Sequence, residues 1–156
     1  MRLNGYETLP EGYKALSAMQ QLVDHSSIDE KLLELVKLRS PQINGCAYCL
    51  DMHSKDAIAI GEDPQRIYVL AAWRETTLYS AEERAALAWC ESLTLISESG
   101  APDDVYEEVK KLFSPKQIME LSLAIVTINS WNRLAIGLRA DVGAYVSHRK
   151  PKSVTH

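Results

Sequence analysis

Residues 27–61 read SIDEKLLELVKLRSPQINGCAYCLDMHSKDAIAIG, and the punctuation of this stretch decides the fold class. Apolar residues fall at Leu32, Leu33, Leu35, Val36 and Leu38, the three-and-four spacing of a helix face. Ser27 followed three residues later by Glu30 has the pattern of a capping box that opens this helix. Pro41 predicts its end, because a proline pushes the residue before it out of helical geometry. The short link from Gln42 to Gly45 leads into a second helix that starts at Cys46 and continues through Ala57, Ile58 and Ile60. Gly61 is placed as its C-cap. Two helices joined this way can pack antiparallel.

The same punctuation extends outward. Upstream, Glu11 to about Asp24 carries Ala15, Leu16, Met19, Leu22 and Val23 on one helical face. Downstream, Pro64, Pro102 and Pro115 each occupy a first-turn position, where the missing N–H would have been unpaired anyway. Ser80 with Glu83 and Ser114 with Gln117 repeat the capping-box pattern. The segment from Ala81 is predicted to run to about Glu98 and stop at Gly100. Pro115 to roughly Arg139 is the most apolar stretch, with Ile118, Leu121, Ile125, Ile128, Trp131 and Leu134 nearly all round. It reads as the central helix, buried by its neighbours or by another subunit. No segment shows strand alternation. The expectation is an all-α antiparallel bundle of about six or seven helices, one domain over residues 1–146, followed by a polar tail over 147–156 that frays.

The chain has 156 residues, enough to bury roughly two thirds of its unfolded surface without disulfide staples. Apolar residues make up 46% and charged residues 24%, which is the balance of a folded domain. The 17 Lys and Arg against 21 Asp and Glu leave a charge of −4 with no basic run, so the electrostatic footprint of a nucleic-acid binder is missing. No apolar stretch reaches membrane-spanning length. The start, Met1 to Gly5, lacks the apolar block of a signal peptide. With three cysteines and no secretory signal, a disulfide framework is not expected, and a reducing cytoplasm is.

The chemistry concentrates in Cys46-x-x-Cys49-x-x-x-His53. At about 100° per residue, Cys49 lies about 60° from Cys46 and His53 about 40° from Cys49, so all three share a helix face. Thiols at i and i+3 can close a disulfide. The helix start favours thiolate, and an imidazole one turn on can accept a proton or stabilise the anion. These two influences pull apart: the helix start favours Cys46 and the imidazole favours Cys49, with the imidazole expected to dominate. Glu34, a carboxylate in a run of leucines, can orient His53 if the two helices pack antiparallel.

Glu34, eleven residues, then Cys46, Cys49 and His53 resembles the active-site signature of the alkylhydroperoxidase AhpD and carboxymuconolactone decarboxylase superfamily. The segments Ile43 to Cys49 and Asn129-Ser130-Trp131-Asn132-Arg133 are similar to its peroxidase-related branch. The resemblance implies an AhpD-like all-helical domain and a thiol peroxidase that reduces organic hydroperoxides. Cys49 would attack the peroxide, Cys46 would resolve the product to a disulfide, and His53 with Glu34 would move the proton. It also implies a dithiol reductant of the lipoyl type, no metal or flavin cofactor, and a homo-oligomer, either trimer or hexamer. The family's best-known peroxidase has a histidine immediately before the second cysteine, where this chain has Tyr48. That side chain either lines the substrate pocket or packs.

Other readings of these residues remain. Cys46, Cys49 and His53 would need Cys90 or His25 as a fourth ligand to hold zinc. A lyase of the same fold would use His53 and Glu34 for proton transfer, and a redox-sensing helical module would use the thiols without turnover. Cys90, beside Trp89, reads as a core thiol.

Overall fold

The computed structural model describes residues 1–150, and all its regular structure is helical. The α-helices are α1 (Gly5–Thr8), α2 (Pro10–Asp24), α3 (Glu30–Asn44), α4 (Ala47–Ala59), α5 (Pro64–Tyr68), α6 (Ala81–Thr94), α7 (Ile96–Ser99), α8 (Asp103–Leu112) and α9 (Pro115–Leu138), with a 3₁₀ segment at Leu70–Glu75. Six of these exceed two turns and form the bundle; the others are short connectors. No helix among the described residues is long and apolar enough to cross a membrane.

The central helix is α3, not α9. Every residue from Leu32 to Leu38 is buried, and α3 packs against α4, α6 and α9. Its two sides enter two separate apolar clusters. Leu32, Leu33 and Val36 meet Trp89, Phe113, Leu121 and Ile125, while Leu35 and Leu38 meet Leu70, Trp73 and Leu87. By contrast, α9 leaves Met119 and Val126 exposed along one side.

Several helix ends differ from expectation. Asp29, not Ser27, caps α3 by accepting the amides of Lys31 and Leu32, both at 3.0 Å. Ser27 donates its backbone N–H and its hydroxyl to Glu120 instead, which ties the α2–α3 link to α9. Helix α3 also runs through Pro41 to Asn44. The Pro41 ring removes one helical hydrogen bond near the end, while its carbonyl accepts from Gly45 at 2.8 Å and Cys46 at 3.0 Å, so the last turn still closes. The segment from Ala81 breaks at Leu95 into α6 and α7, and Pro102 stands at the N-cap of α8, one residue earlier than expected. Of the expected tail, Ser147 and Arg149 hydrogen-bond to buried acids of α4 and α3. The rest of the expected tail, 151–156, lies outside the described residues.

Candidate active site

Gly45 sets the geometry from which the site follows. It adopts φ +73°, the left-handed conformation that glycine takes without a Cβ penalty, and turns the chain from α3 directly into α4. Cys46 therefore becomes the N-cap residue of α4. The two helices pack side by side, and Glu34 Oε2 meets His53 Nδ1 at 2.9 Å. An ionised Glu34 can only accept, so Nδ1 donates to it and the other ring nitrogen is left for chemistry.

Glu34 is fully buried and lies at the centre of an ion network. Its Oε1 accepts from Lys37 Nζ at 3.3 Å and from Arg149 Nη1 at 2.6 Å. Lys37, itself buried, also pairs with Asp24 at 3.2 Å, and Arg149 reaches Glu30 with its second nitrogen. Burial alone would raise the Glu34 carboxyl. The hydrogen bond and charge of His53, with the charges of Lys37 and Arg149, outweigh it and hold the carboxyl down at about 2. One turn along α4 from His53, buried Asp56 accepts from Tyr145 Oη at 2.8 Å and Ser147 Oγ at 2.6 Å. The segment 145–149 thus crosses both acids.

Cys46 and Cys49 are free thiols, both buried and packed in one cluster, and their ionisations are linked. The pair shares its ionisation unevenly. The Cys49 side chain lowers the Cys46 thiol to about 7, against the effect of burial, and the backbone amides of Cys49 and Tyr48 at the helix start add to the shift. Cys49 is pushed up, first by the Cys46 sulfur and then by burial. The two sulfurs thus act on each other, Cys46 drawn down and Cys49 drawn up, while the His53 ring is engaged by Glu34.

A cavity of about 710 Å³ opens onto this site. Cys49 and His53 are both part of its wall, together with Tyr48, Met52, Tyr13 and Trp131. Trp131 stands edge-on to Tyr13 at 5.4 Å between ring centres. Cys46 has 1% of its surface exposed and sits beside Cys49 and Ile128 in a small apolar cluster.

The four residues singled out by spacing, Glu34, Cys46, Cys49 and His53, come together in one place, with Tyr48 at the cavity. The ligating atoms that converge within 4.8 Å among the described residues belong to Glu34, His53 and Asp56, a different set from the cysteine-based zinc group. Cys90 lies apart, its sulfur hydrogen-bonded to the Val36 carbonyl, and burial pushes its thiol up to about 12. His25 caps the end of α2. Sequence reasoning missed Lys37, Asp56, Tyr145, Ser147 and Arg149. Of these, Lys37 and Asp56 had a local signal, each three residues after a singled-out residue on the same helix, Glu34 and His53.

Residues 10–92 match the carboxymuconolactone decarboxylase family. An uncharacterised protein of Bacillus subtilis, YdfG, is 45% identical over 88% of this chain and 93% of its own. Among solved structures, a protein of unknown function from Agrobacterium tumefaciens, described as a candidate antioxidant defence protein AhpD, superposes with a TM-score of 0.89. It is 40% identical and covers 92% of this chain and 99% of its own. An uncharacterised peroxidase-related protein from Silicibacter superposes at 0.78 over 90% of this chain and 74% of its own. Its identity is 22%, so that likeness shows the fold alone.

Proposed function

Since the chain belongs to the carboxymuconolactone decarboxylase family, we propose that it is a thiol peroxidase that reduces organic hydroperoxides through Cys46 and Cys49, with His53 and Glu34 moving the proton. The observation that carries this reading is that Cys49 and His53 share the wall of one largely apolar cavity while Cys46 packs beside Cys49 outside that wall. A cavity of about 710 Å³ faced by Tyr13, Tyr48, Trp131 and Met52 suits a hydroperoxide with an apolar body better than hydrogen peroxide.

The steps follow from the charges. The ionised Cys46, packed beside Cys49, takes its proton, so that the anion forms on the sulfur facing the cavity. Cys49 thiolate attacks the outer peroxide oxygen; the S–O bond forms as the O–O bond breaks. Protonated His53, its charge balanced by Glu34, gives its proton to the departing alkoxide, which leaves as the alcohol. The Cys46 thiol then attacks the Cys49 sulfenic acid. A disulfide forms, the S–O bond breaks, and the Cys46 proton leaves with the hydroxide as water. An external dithiol, of the lipoyl type by family resemblance, reduces the disulfide by exchange and is itself oxidised to a disulfide. No step calls for a metal or flavin.

The reading is tested by treating single-cysteine variants with cumene hydroperoxide. Cys46→Ser is expected to consume one equivalent and stop as Cys49 sulfenic acid, trapped by dimedone. Cys49→Ser is expected to be inert. A sulfenate on Cys46 in the Cys49→Ser variant, with an inert Cys46→Ser, would reverse the roles. Two inert variants together with an inert parent would remove the peroxidase.

A further inference from the structure

Four polar side chains of α3 and α9 beneath the cysteines form a chain whose direction can be read from its ends. Arg133 can only donate, and its Nη1 lies 3.0 Å from Asn129 Oδ1. The Ile125 carbonyl can only accept, and Asn129 Nδ2 lies 2.9 Å from it. These two fixed partners settle which way the Asn129 amide points. Asn44 meets Asn129 Oδ1 at 3.0 Å, so the Asn44 atom at that contact is its nitrogen. The same nitrogen reaches Asn132 at 2.9 Å, and the Asn132 atom that receives it is therefore the oxygen. Ser40 Oγ approaches that oxygen as well, at 3.3 Å.

The Asn132 nitrogen is left pointing the other way. The residue has no exposed surface, and this nitrogen has no hydrogen-bond partner among the described residues. A buried, unpaired N–H is costly, and native structures rarely retain one without a reason. Asn132 lies between Ile128 and Ala135 on the face of α9 that packs against Cys46 and Cys49, and its amide favours ionisation of Cys49 against the opposing effect of Cys46.

We propose that Asn132 is a fixed N–H donor held ready for negative charge on the Cys49 sulfur, and that Arg133, Asn129 and Asn44 are positioning residues that lock its amide in the donating direction. A neutral thiol is a weak acceptor, whereas a thiolate is a strong one. The N–H therefore gains its bond when Cys49 loses its proton to Cys46 and again as the sulfur carries charge during attack. A donor that strengthens only then stabilises the reacting state over the resting one. The role in turnover rests on Cys49 being the attacking thiol; the hydrogen bond itself can be tested without turnover.

The test uses the full chain carrying Cys46→Ser and follows alkylation of Cys49 by iodoacetamide as a function of pH, with cleavage and mass analysis to exclude Cys90. Asn132→Asp keeps an acceptor for Asn44 and Ser40 but removes the N–H. It is expected to move the alkylation profile of Cys49 to higher pH and slow the reaction at neutral pH by about ten-fold or more. Asn44→Ala, which frees the Asn132 amide to turn, is expected to move the profile the same way by less. An unmoved profile in folded Asn132→Asp overturns the proposal, and an unmoved one in Asn44→Ala overturns the locking. Should Asn132→Asp fail to fold, the side-chain amide resonance of Asn132 in the Cys46→Ser protein decides. It is expected to shift with the same midpoint as Cys49 alkylation, and a flat resonance overturns the donor. A moved alkylation profile in a protein whose parent does not reduce hydroperoxide would leave the hydrogen bond standing and remove the peroxidase alone.

Discussion

Glu34 is the residue at which stability and chemistry are most closely joined. Its folded-state carboxyl is held at about 2, against 4.5 in the unfolded chain. A depressed carboxyl contributes stability that is complete above 4.5 and is lost as pH falls from 4.5 through 2. The shift corresponds to about 3 kcal/mol. Glu34→Gln is expected to flatten that part of the unfolding free energy against pH, measured by urea titration between pH 5 and 2. The substitution also leaves Lys37 buried with one acidic partner fewer, so a loss of about 3–5 kcal/mol near neutral pH is expected. The same variant is expected to slow hydroperoxide turnover by about 10²–10⁴-fold, the range for general acid–base catalysis. Unchanged turnover would assign Glu34 to the ion network alone. The sequence makes Glu34, Cys46, Cys49 and His53 readable because they lie on two consecutive helices, where spacing fixes direction. Arg149 meets Glu34 from 115 residues away, and Asn132 meets Asn44 from 88. No local periodicity encodes such contacts.

At the scale of elements, the turn between α3 and α4 does most of the placing. Nothing lies within 4 Å of where a Cβ on Gly45 would stand, so a side chain there meets only the backbone penalty of its φ. Gly45→Ala is expected to lower stability by about 1–2 kcal/mol, read from urea unfolding, and to disturb the Cys46 cap. An unchanged midpoint would mean that the turn tolerates a left-handed alanine. The order of the longer helices was legible from apolar spacing and from the Ser80 and Ser114 caps, both of which form capping boxes. Two ends of α3 were not. Asp29 competes with Ser27 for the same helix start and wins because Ser27 is taken by Glu120, a partner on α9. Pro41 stops a helix only where no tertiary contact compensates, and α3 is packed on three sides.

At the scale of the whole molecule, α9 is long, carries Trp131 and Leu134 on the cavity side, and exposes Met119, Val126 and Ile136. Such a surface is expected to be covered by further copies of the chain, as a trimer or hexamer by family resemblance. Multi-angle light scattering at micromolar concentration checks it, and a monomer mass contradicts it. Within the single chain α3, not α9, is central, because overall apolarity does not register that α3 carries Glu34 and Lys37 into the middle of the fold. The central claim is that hydroperoxide drives Cys46 and Cys49 into a disulfide that a dithiol reopens. Intact-mass analysis of the unsubstituted protein after cumene hydroperoxide tests it directly, followed by addition of dihydrolipoamide. The account predicts the loss of two hydrogens mapped to the Cys46–Cys49 peptide and their full return. An unchanged mass, or an added oxygen that never resolves, would contradict it.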